Sequence, residues 1–425
     1  LEAVAPVECG SWHHGLPAHH TATFARCIPA RYKHAMRPGS ALLILLVAIG
    51  HLTATRSLLD VFYRVYLRRP VRRVVEPLCV LGVLALLAWF LRDVAVAGPA
   101  VLFTGDWWAV PQPWRIYIAL CVGVAAIGPI VLLRRWASPD PPCLLSNAAR
   151  QIDVAALLGR KPVGDTPRRW MAELPGNELY RVELTEKHLR LPRLPPQWDG
   201  LSILHLSDVH FYGTPQRDYF HRVFDSVAAM PADIIAFTGD LTDRAEYVQW
   251  LPGTLDLLSA PLGRFFVLGN HDMEWNAPGV RQCLADRGWT SVGGRWVCID
   301  VRGVPMLIAG TERPWIGQHP DMTGAPADGF RLLLSHSPAY FRWARRRGFG
   351  LTLAGHLHGG QIRLPVLGAI RGGPYSAGTF EKQGAVMHVS RGLGQKTPLR
   401  YGCVPEVTRL VLRSSGGSVA RPARP

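Results

Sequence analysis

Five short apolar runs between residues 201 and 354 each end in a cluster of Asp, Asn or His. The runs are 201–206, 234–237, 265–268, 332–334 and 351–354, and segments of that length bounded by Gly, Asp and Asn read as buried strands. The clusters are Ser207-Asp208-Val209-His210, Gly239-Asp240-Leu241-Thr242-Asp243-Arg244, Gly269-Asn270-His271-Asp272, Ser335-His336-Ser337 and Gly355-His356-Leu357-His358-Gly359-Gly360. A chain patterned this way carries its polar groups on loops at strand ends, where sites in open α/β sheets gather. A lone His beside an apolar run is most often a core or surface histidine. Five such motifs in order, each behind a strand-like run, point instead to one assembled site.

The residue types narrow the chemistry. Two divalent cations about 3.5–4 Å apart can activate a water and neutralise charge on a transferring phosphoryl group. Holding them that close requires an anionic bridge, and Asp240 is the candidate. Asp208, His210 and His358 would complete the shell of one cation, and Asn270, His336 and His356 that of the other. Mixed imidazole and carboxylate donors suit manganese, iron or zinc better than calcium, and the absence of Cys from every motif argues against structural zinc. His356 and His358, two apart on a strand-end loop, are free to face different cations. Gly239, Gly269, Gly355, Gly359 and Gly360 are expected to take positive φ and bring the backbone close to the metals.

These motifs resemble the calcineurin-like metallophosphoesterase superfamily. Residues 355–364 together with Ser390-Arg391-Gly392-Leu393-Gly394 resemble its bacterial branch, whose members often carry N-terminal membrane segments. The likeness covers about residues 175–413. It implies the same division of ligands: Asp208, His210, Asp240 and His358 on one metal, Asp240, Asn270, His336 and His356 on the other. It also implies that His271 is the catalytic histidine, protonating the leaving oxygen or steadying the phosphoryl group, and that Asp243 orients it. Arg244 falls where related phosphatases hold a phosphate-binding arginine; a solvated arginine is the alternative. Leu357 replaces the small hydroxyl residue usual in relatives, and Gly350 replaces an acid that often precedes the strand. Neither change removes a ligand.

The first third of the chain differs in character. Three long apolar stretches, 41–59, 78–91 extending to about 97, and 114–133, are flanked by Arg64, Arg68, Arg69, Arg72 and Arg73 and by Arg134, Arg135, Arg150, Arg160, Lys161, Arg168 and Arg169. Trp107, Trp108 and Trp114 lie between the second and third, as an interfacial belt would. These are expected to be three transmembrane helices, and the positive-inside rule then puts residues 134 onward in the cytoplasm. Arg26, Arg31, Lys33 and Arg37 precede the first stretch and oppose that orientation, a conflict that a true start at Met36 would reduce. The net charge of +16 and pI near 9.9 would suit nucleic acid, but much of the excess flanks the apolar stretches, where it attracts anionic lipid. Nucleic acid is therefore not expected as a partner. Residues 340–347, basic and aromatic, read as a solvated helix face or as a lip against lipid headgroups. The eight Cys form no metal-spaced pair in the catalytic part and fit a reduced compartment.

The expected fold class is α/β: a metallophosphoesterase β-sandwich flanked by helices, preceded by an α-helical transmembrane region. The expected divisions are a tail (1–37), three membrane helices (38–135), a linker (136–174), a catalytic domain (175–413) whose first strand is 179–184, and a disordered tail (414–425). The expected function is two-metal-dependent phosphoester hydrolysis at the plasma (inner) membrane, on a lipid-linked phosphoester or pyrophosphate such as UDP-2,3-diacylglucosamine. A general phosphodiesterase or nucleotide phosphatase is one alternative. A metal-binding membrane scaffold without turnover is the other.

Overall fold

The structure, a computed structural model, describes residues 37–64, 69–96, 105–136, 139–326, 329–364, 368–369 and 375–415. The expected N-terminal tail up to Met36 and the C-terminal tail from Gly416 onward lie outside the described residues.

Three long helices form where the apolar stretches lie: α1 (Pro38–Arg64), α2 (Arg69–Val96) and α3 (Gln112–Trp136), of 27, 28 and 25 residues. A bilayer core needs about 20 apolar residues at 1.5 Å rise each. Among the described residues only α1 meets that length and apolarity, through Pro38–Thr55; the apolar parts of α2 and α3, Pro77–Phe90 and Gln112–Gly128, are shorter. α1 and α3 meet closely at Gly50, where a Cβ would fall 1.9 Å from the Cys121 carbonyl oxygen. Val47, Phe90, Trp114 and Ile118 pack together inside, while Leu42, Leu52, Leu84 and Leu120 are exposed. Exposed apolar side chains on this scale mark a surface meant for a non-aqueous neighbour or a partner.

The remainder is a sandwich. In chain order it comprises β1 (Leu144–Asp153), α4 (Val154–Leu158), β2 (Arg181–Leu191), β3 (Ser202–Leu206), α5 (Arg217–Ala228), β4 (Ile234–Phe237) and β5 (Arg264–Phe266). Then come α6 (Asn270–Trp275), α7 (Ala277–Ala285), β6 (Trp289–Ser291), β7 (Trp296–Val301), β8 (Val304–Thr311), β9 (Arg331–Ser335), α8 (Phe341–Arg346) and β10 (Leu351–Ala354). A small ribbon, β11 (Arg363–Leu364) and β12 (Gly368–Ala369), precedes β13 (Gly378–Lys382), β14 (Ala385–Val389) and β15 (Glu406–Ser414). One sheet runs β1-β2-β15-β3-β4-β5-β6 and the other β13-β14-β10-β9-β8-β7. β3 through β6 are parallel, as are β8, β9, β10 and β14. All five motif-bearing loops therefore leave the carboxyl ends of parallel strands.

Strand alternation makes the layers. Ile203, Ile234 and Phe265 face inward against Ile308, Leu332, Leu334 and Leu353 of the second sheet. Their neighbours Leu204, Leu206, Ile235 and Phe237 face outward and are covered by Phe220, Val223 and Phe224 of α5.

One expectation fails here. The segment 136–174 was expected to be a linker, yet β1 lies within it and pairs antiparallel with β2 from Leu144↔Leu189 to Asp153↔Arg181. The strand expected to open the sheet, 179–184, is thus the second one. β1 is an edge strand whose side chains are all exposed or half-buried, so its sequence, LLSNAARQID, carries no apolar alternation to announce it.

Trp198 is fully buried between the sheets, and its indole N–H donates to the Val301 carbonyl at 2.8 Å. Trp198→Ala should cost about 3–5 kcal/mol, read as a lower denaturation midpoint in urea for the sandwich signal.

Candidate metal centre

The strand-end loops bring nearly every singled-out residue to one place. Asp208 and His210 follow β3, Asp240 and Asp243 follow β4, Asn270 and His271 open α6 after β5, His336 follows β9, and His356 and His358 follow β10. Asp208, His210 and His358 form one group able to hold a metal ion, Asp240, His336 and His356 a second, and His210, Asp243 and His271 a third.

The first two groups meet at one atom. Asp240 Oδ2 lies 3.5 Å from His210 Nε2 and 3.1 Å from His336 Nε2. On the first side, His210 Nε2 and His358 Nε2 face each other at 3.2 Å, and Asp208 Oδ1 is 3.9 and 3.5 Å from them. On the second, His336 Nε2 is 3.1 Å from His356 Nδ1 and 3.3 Å from Asn270 Oδ1. Lone-pair atoms converging this closely, with Asn and carboxylate oxygens among imidazole nitrogens, fit first-row divalent cations. The donors are pre-set by their neighbours: His210 Nδ1 lies 2.7 Å from Asp243 Oδ2 and His336 Nδ1 2.7 Å from the Thr238 carbonyl. In the neutral form each gives its Nδ1 proton to that acceptor and keeps the Nε2 lone pair for a metal.

Charge balance points the same way. Burial pushes the His210 and His336 imidazoles down, but the carboxylates facing them outweigh it and hold both up at about 9. Burial and the neighbouring Asp240 push Asp208 up, whereas His336, His271 and His210 overcome burial and hold Asp240 well below the usual range. Burial, His210 and Arg400 hold His358 well below its usual value, so it stays neutral. Metal binding at His210 and His336 requires their neutral form, so loading releases any proton they carry.

Asp243 joins two histidines. One oxygen meets His210, and the other is 2.5 Å from His271 Nδ1. Against burial, these two imidazoles keep Asp243 well below the usual carboxylate range. Asp208, His210, Asp240, Asp243 and His336 are buried, while Asn270, His271, His356 and His358 are half-buried and form the open side. Arg244 sits on the rim: its guanidinium lies 5.3 Å from the Tyr212 ring centroid and 3.5 Å from Glu246 Oε1.

The glycine expectation is corrected in part. Gly239, Gly359 and Gly360 take positive φ, but Gly269 and Gly355 do not. They are needed for space: a Cβ on Gly269 would lie 2.0 Å from Asp240 Oδ1, and one on Gly355 1.8 Å from Ser207 Oγ. The positive φ falls on Asp208, His210, Asp240, His356 and His358 themselves. Non-glycine residues held there cost on the order of 1–3 kcal/mol each and mark functional sites.

Supporting residues escaped the sequence reading. Asp272, quoted in its motif without a role, is buried and accepts from the backbone N–H groups of Asp240, Leu241, Thr242 and Gly269. Burial and Asp240 push its carboxyl up to about 6 despite those donors. Arg400, also buried, donates to the carbonyls of His358, Arg391 and Gly394 and so ties the histidine loop to the loop after β14. Trp315 packs its ring 4.7 Å from His356 and 5.3 Å from His336. No motif in a single sequence marks Arg400 or Trp315.

Residues 201–360 match the family described as calcineurin-like phosphoesterase. The uncharacterised metallophosphoesterase YkuE of Bacillus subtilis is 30% identical over 252 residues, covering 56% of this chain and 88% of the relative. The chain belongs to the calcineurin-like phosphoesterase family. The likeness is not confined to bacteria: a zebrafish (Danio rerio) transmembrane protein with a metallophosphoesterase domain is 25% identical over 260 residues, 56% of this chain and 59% of that one. The UDP-2,3-diacylglucosamine pyrophosphatase LpxG of Chlamydia muridarum is 23% identical over 288 residues, 53% of this chain and 88% of its own. Membership makes the chain a metal-dependent phosphoesterase, and the converging Asp and His donors are where this family member could bind metal.

Gly269→Ala should displace Asp240 and cut bound manganese sharply with the circular dichroism spectrum unchanged. Normal metal content by elemental analysis would show that the close approach is dispensable.

Proposed function

We propose that this phosphoesterase works with two cations, one of which Asp208, His210, Asp240 and His358 would hold and the other Asp240, Asn270, His336 and His356, with Asp240 as the shared ligand. The observation that carries this is the position of Asp240 Oδ2 between His210 and His336. Manganese, iron or zinc suits the donors. Such a pair supplies Lewis acidity, lowering the pKa of a water and neutralising charge on the phosphoryl oxygens. The chain's own part is positioning and proton transfer. His271 is half-buried with Nδ1 fixed on Asp243, which leaves Nε2 to donate a proton to the leaving oxygen. Asp243 orients His271, and Arg244 stands on the rim to meet a phosphate oxygen from outside the cluster.

The substrate reading is a lipid-linked phosphoester or pyrophosphate such as UDP-2,3-diacylglucosamine, at the plasma (inner) membrane. It rests on the apolar helix α1 and on relatives named as a transmembrane protein and as LpxG. In this reading α1, α2 and α3 each cross the membrane, α2 and α3 forming an outward hairpin, and the sandwich lies in the cytoplasm.

Asp240→Asn should lose most bound metal and nearly all hydrolysis. His271→Ala should keep its metal and lose roughly 10²–10⁴-fold in rate, the scale of a positioned acid or base. Two metals per chain with normal turnover in the Asp240 variant would refute the bridge. Wild-type protein that binds metal but turns over no phosphoester would leave a scaffold as the function.

Topology is tested by reporters. One active only in the cytoplasm should work when fused after Pro425, and one requiring export should work when inserted near Asp106. The reverse pattern would put the metal centre outside and exclude cytoplasmic nucleotide-linked lipids as substrates.

A further inference from the structure

Trp315 is the large side chain set directly against the second donor group, and the mechanism above gives it no work. It lies on the loop after β8, half-buried, with its ring 4.7 Å from that of His356 and 5.3 Å from that of His336. Among the described residues it joins none of the buried core clusters. The chain around it explains why it stands there. The N–H groups of Trp315 and Ile316 donate to the Glu312 carbonyl at 3.2 and 3.1 Å, and Ile316 packs against the cluster that contains Phe266 and Leu268. The Glu312 carboxylate, itself buried, accepts from the Leu268 N–H at 2.8 Å and from Arg281 Nη2 at 2.7 Å. The loop carrying Trp315 is thereby fixed to the strand end that leads into Asn270 and His271. An indole held this way gives up little freedom when a flat group meets it.

The two ends of the donor cluster differ in chemistry. His271 packs on His210 of the first group, with ring centroids 4.7 Å apart, and Arg244 and Tyr212 stand together on the rim just beyond His210 in the chain. That end offers a proton donor and a guanidinium. The other end, at His336 and His356, offers the indole. Leu357, half-buried between His356 and His358, adds an apolar residue to the same loop where a small hydroxyl residue was expected. A phosphodiester bound across such a cluster has two unlike substituents to place, and the cluster has two unlike ends to place them in.

We propose that Trp315 receives the substituent that stays on the phosphorus and selects for a planar, apolar group there. This rests on the hydrolase reading above and deepens it: the substrate class is a phosphodiester whose retained ester is flat and apolar. In the reaction, the oxygen of water bonds to phosphorus and the P–O bond to the departing alcohol breaks with its electron pair. The departing oxygen takes the proton from His271, and the proton that water gives up restores His271. The monoester that remains carries the group facing Trp315. Trp315 is thus a specificity-determining residue, distinct from the donors that it touches.

The test uses the full chain, manganese-loaded in detergent, with phenyl p-nitrophenyl phosphate and methyl p-nitrophenyl phosphate as substrates. Both release p-nitrophenolate, so they differ only in the group retained. Trp315→Ala should lower the phenyl-to-methyl ratio of kcat/KM roughly tenfold, the scale of one aromatic contact with its buried area. Trp315→Phe should recover most of that ratio. Intrinsic reactivity, and any shared loss from a shifted His356, cancel in the ratio. A ratio unchanged in Trp315→Ala, with both substrates slowed alike, overturns the proposal and leaves Trp315 as a support for His356. The wild type supplies a check that needs no variant: phenyl phosphate should compete roughly tenfold more tightly than methyl phosphate, and equal competition overturns the proposal. Wild-type protein that turns over neither diester fails the hydrolase reading instead. Calorimetric titration of the same two monoesters into the metal-loaded wild type and Trp315→Phe then reads the preference directly, and equal binding in the wild type refutes it.

Discussion

Asp240 leaves the end of β4 in the first sheet, and the same oxygen that faces His210 of that sheet also faces His336 of the second. Two largely buried groups of donors therefore share one carboxylate. Buried charges must be paired or they shift their protonation. Here the facing carboxylates hold the His210 and His336 imidazoles up against burial, and the carboxylates split, Asp208 upward and Asp240 downward.

The scaffold keeps this charge-dense centre from relaxing. Five of its residues sit at positive φ, and glycines at 269 and 355 let Asp240 and Asp208 approach neighbouring backbone to within distances no side chain would permit. The opposing stability comes from a sandwich core whose inward residues are almost completely buried, and from buried groups whose only evident work is holding loops. Asp272 gathers four backbone donors, and Arg400 gathers carbonyls from two loops. Placing donors on loops fixed at both ends by packed strands gives the geometric precision that a metal site demands.

Legibility followed apolar contrast. The strands β3, β4, β5, β9 and β10 were readable because each is a run of buried residues ending in a polar cluster. β1 was not, because an edge strand with one partner and mostly exposed side chains carries the composition of a loop. The three apolar stretches were readable as helices, yet the length of their apolar parts separates α1 from α2 and α3. Trp315 was invisible because its meaning depends on the β8 loop lying beside the β9 loop, a contact between the ends of two parallel strands.

The sequence by itself determined which side chains could serve the chemistry, since Asp, Asn and His in that order after buried runs restrict both fold and donor set. Only the tertiary structure decided how they are shared: that Asp240 faces both donor groups, that Asp243 spans His210 and His271, and that Arg244 stands on the rim. The reason is that these are relations between loops 28 or more residues apart in the chain, fixed by strand order and register across two sheets rather than by any local spacing.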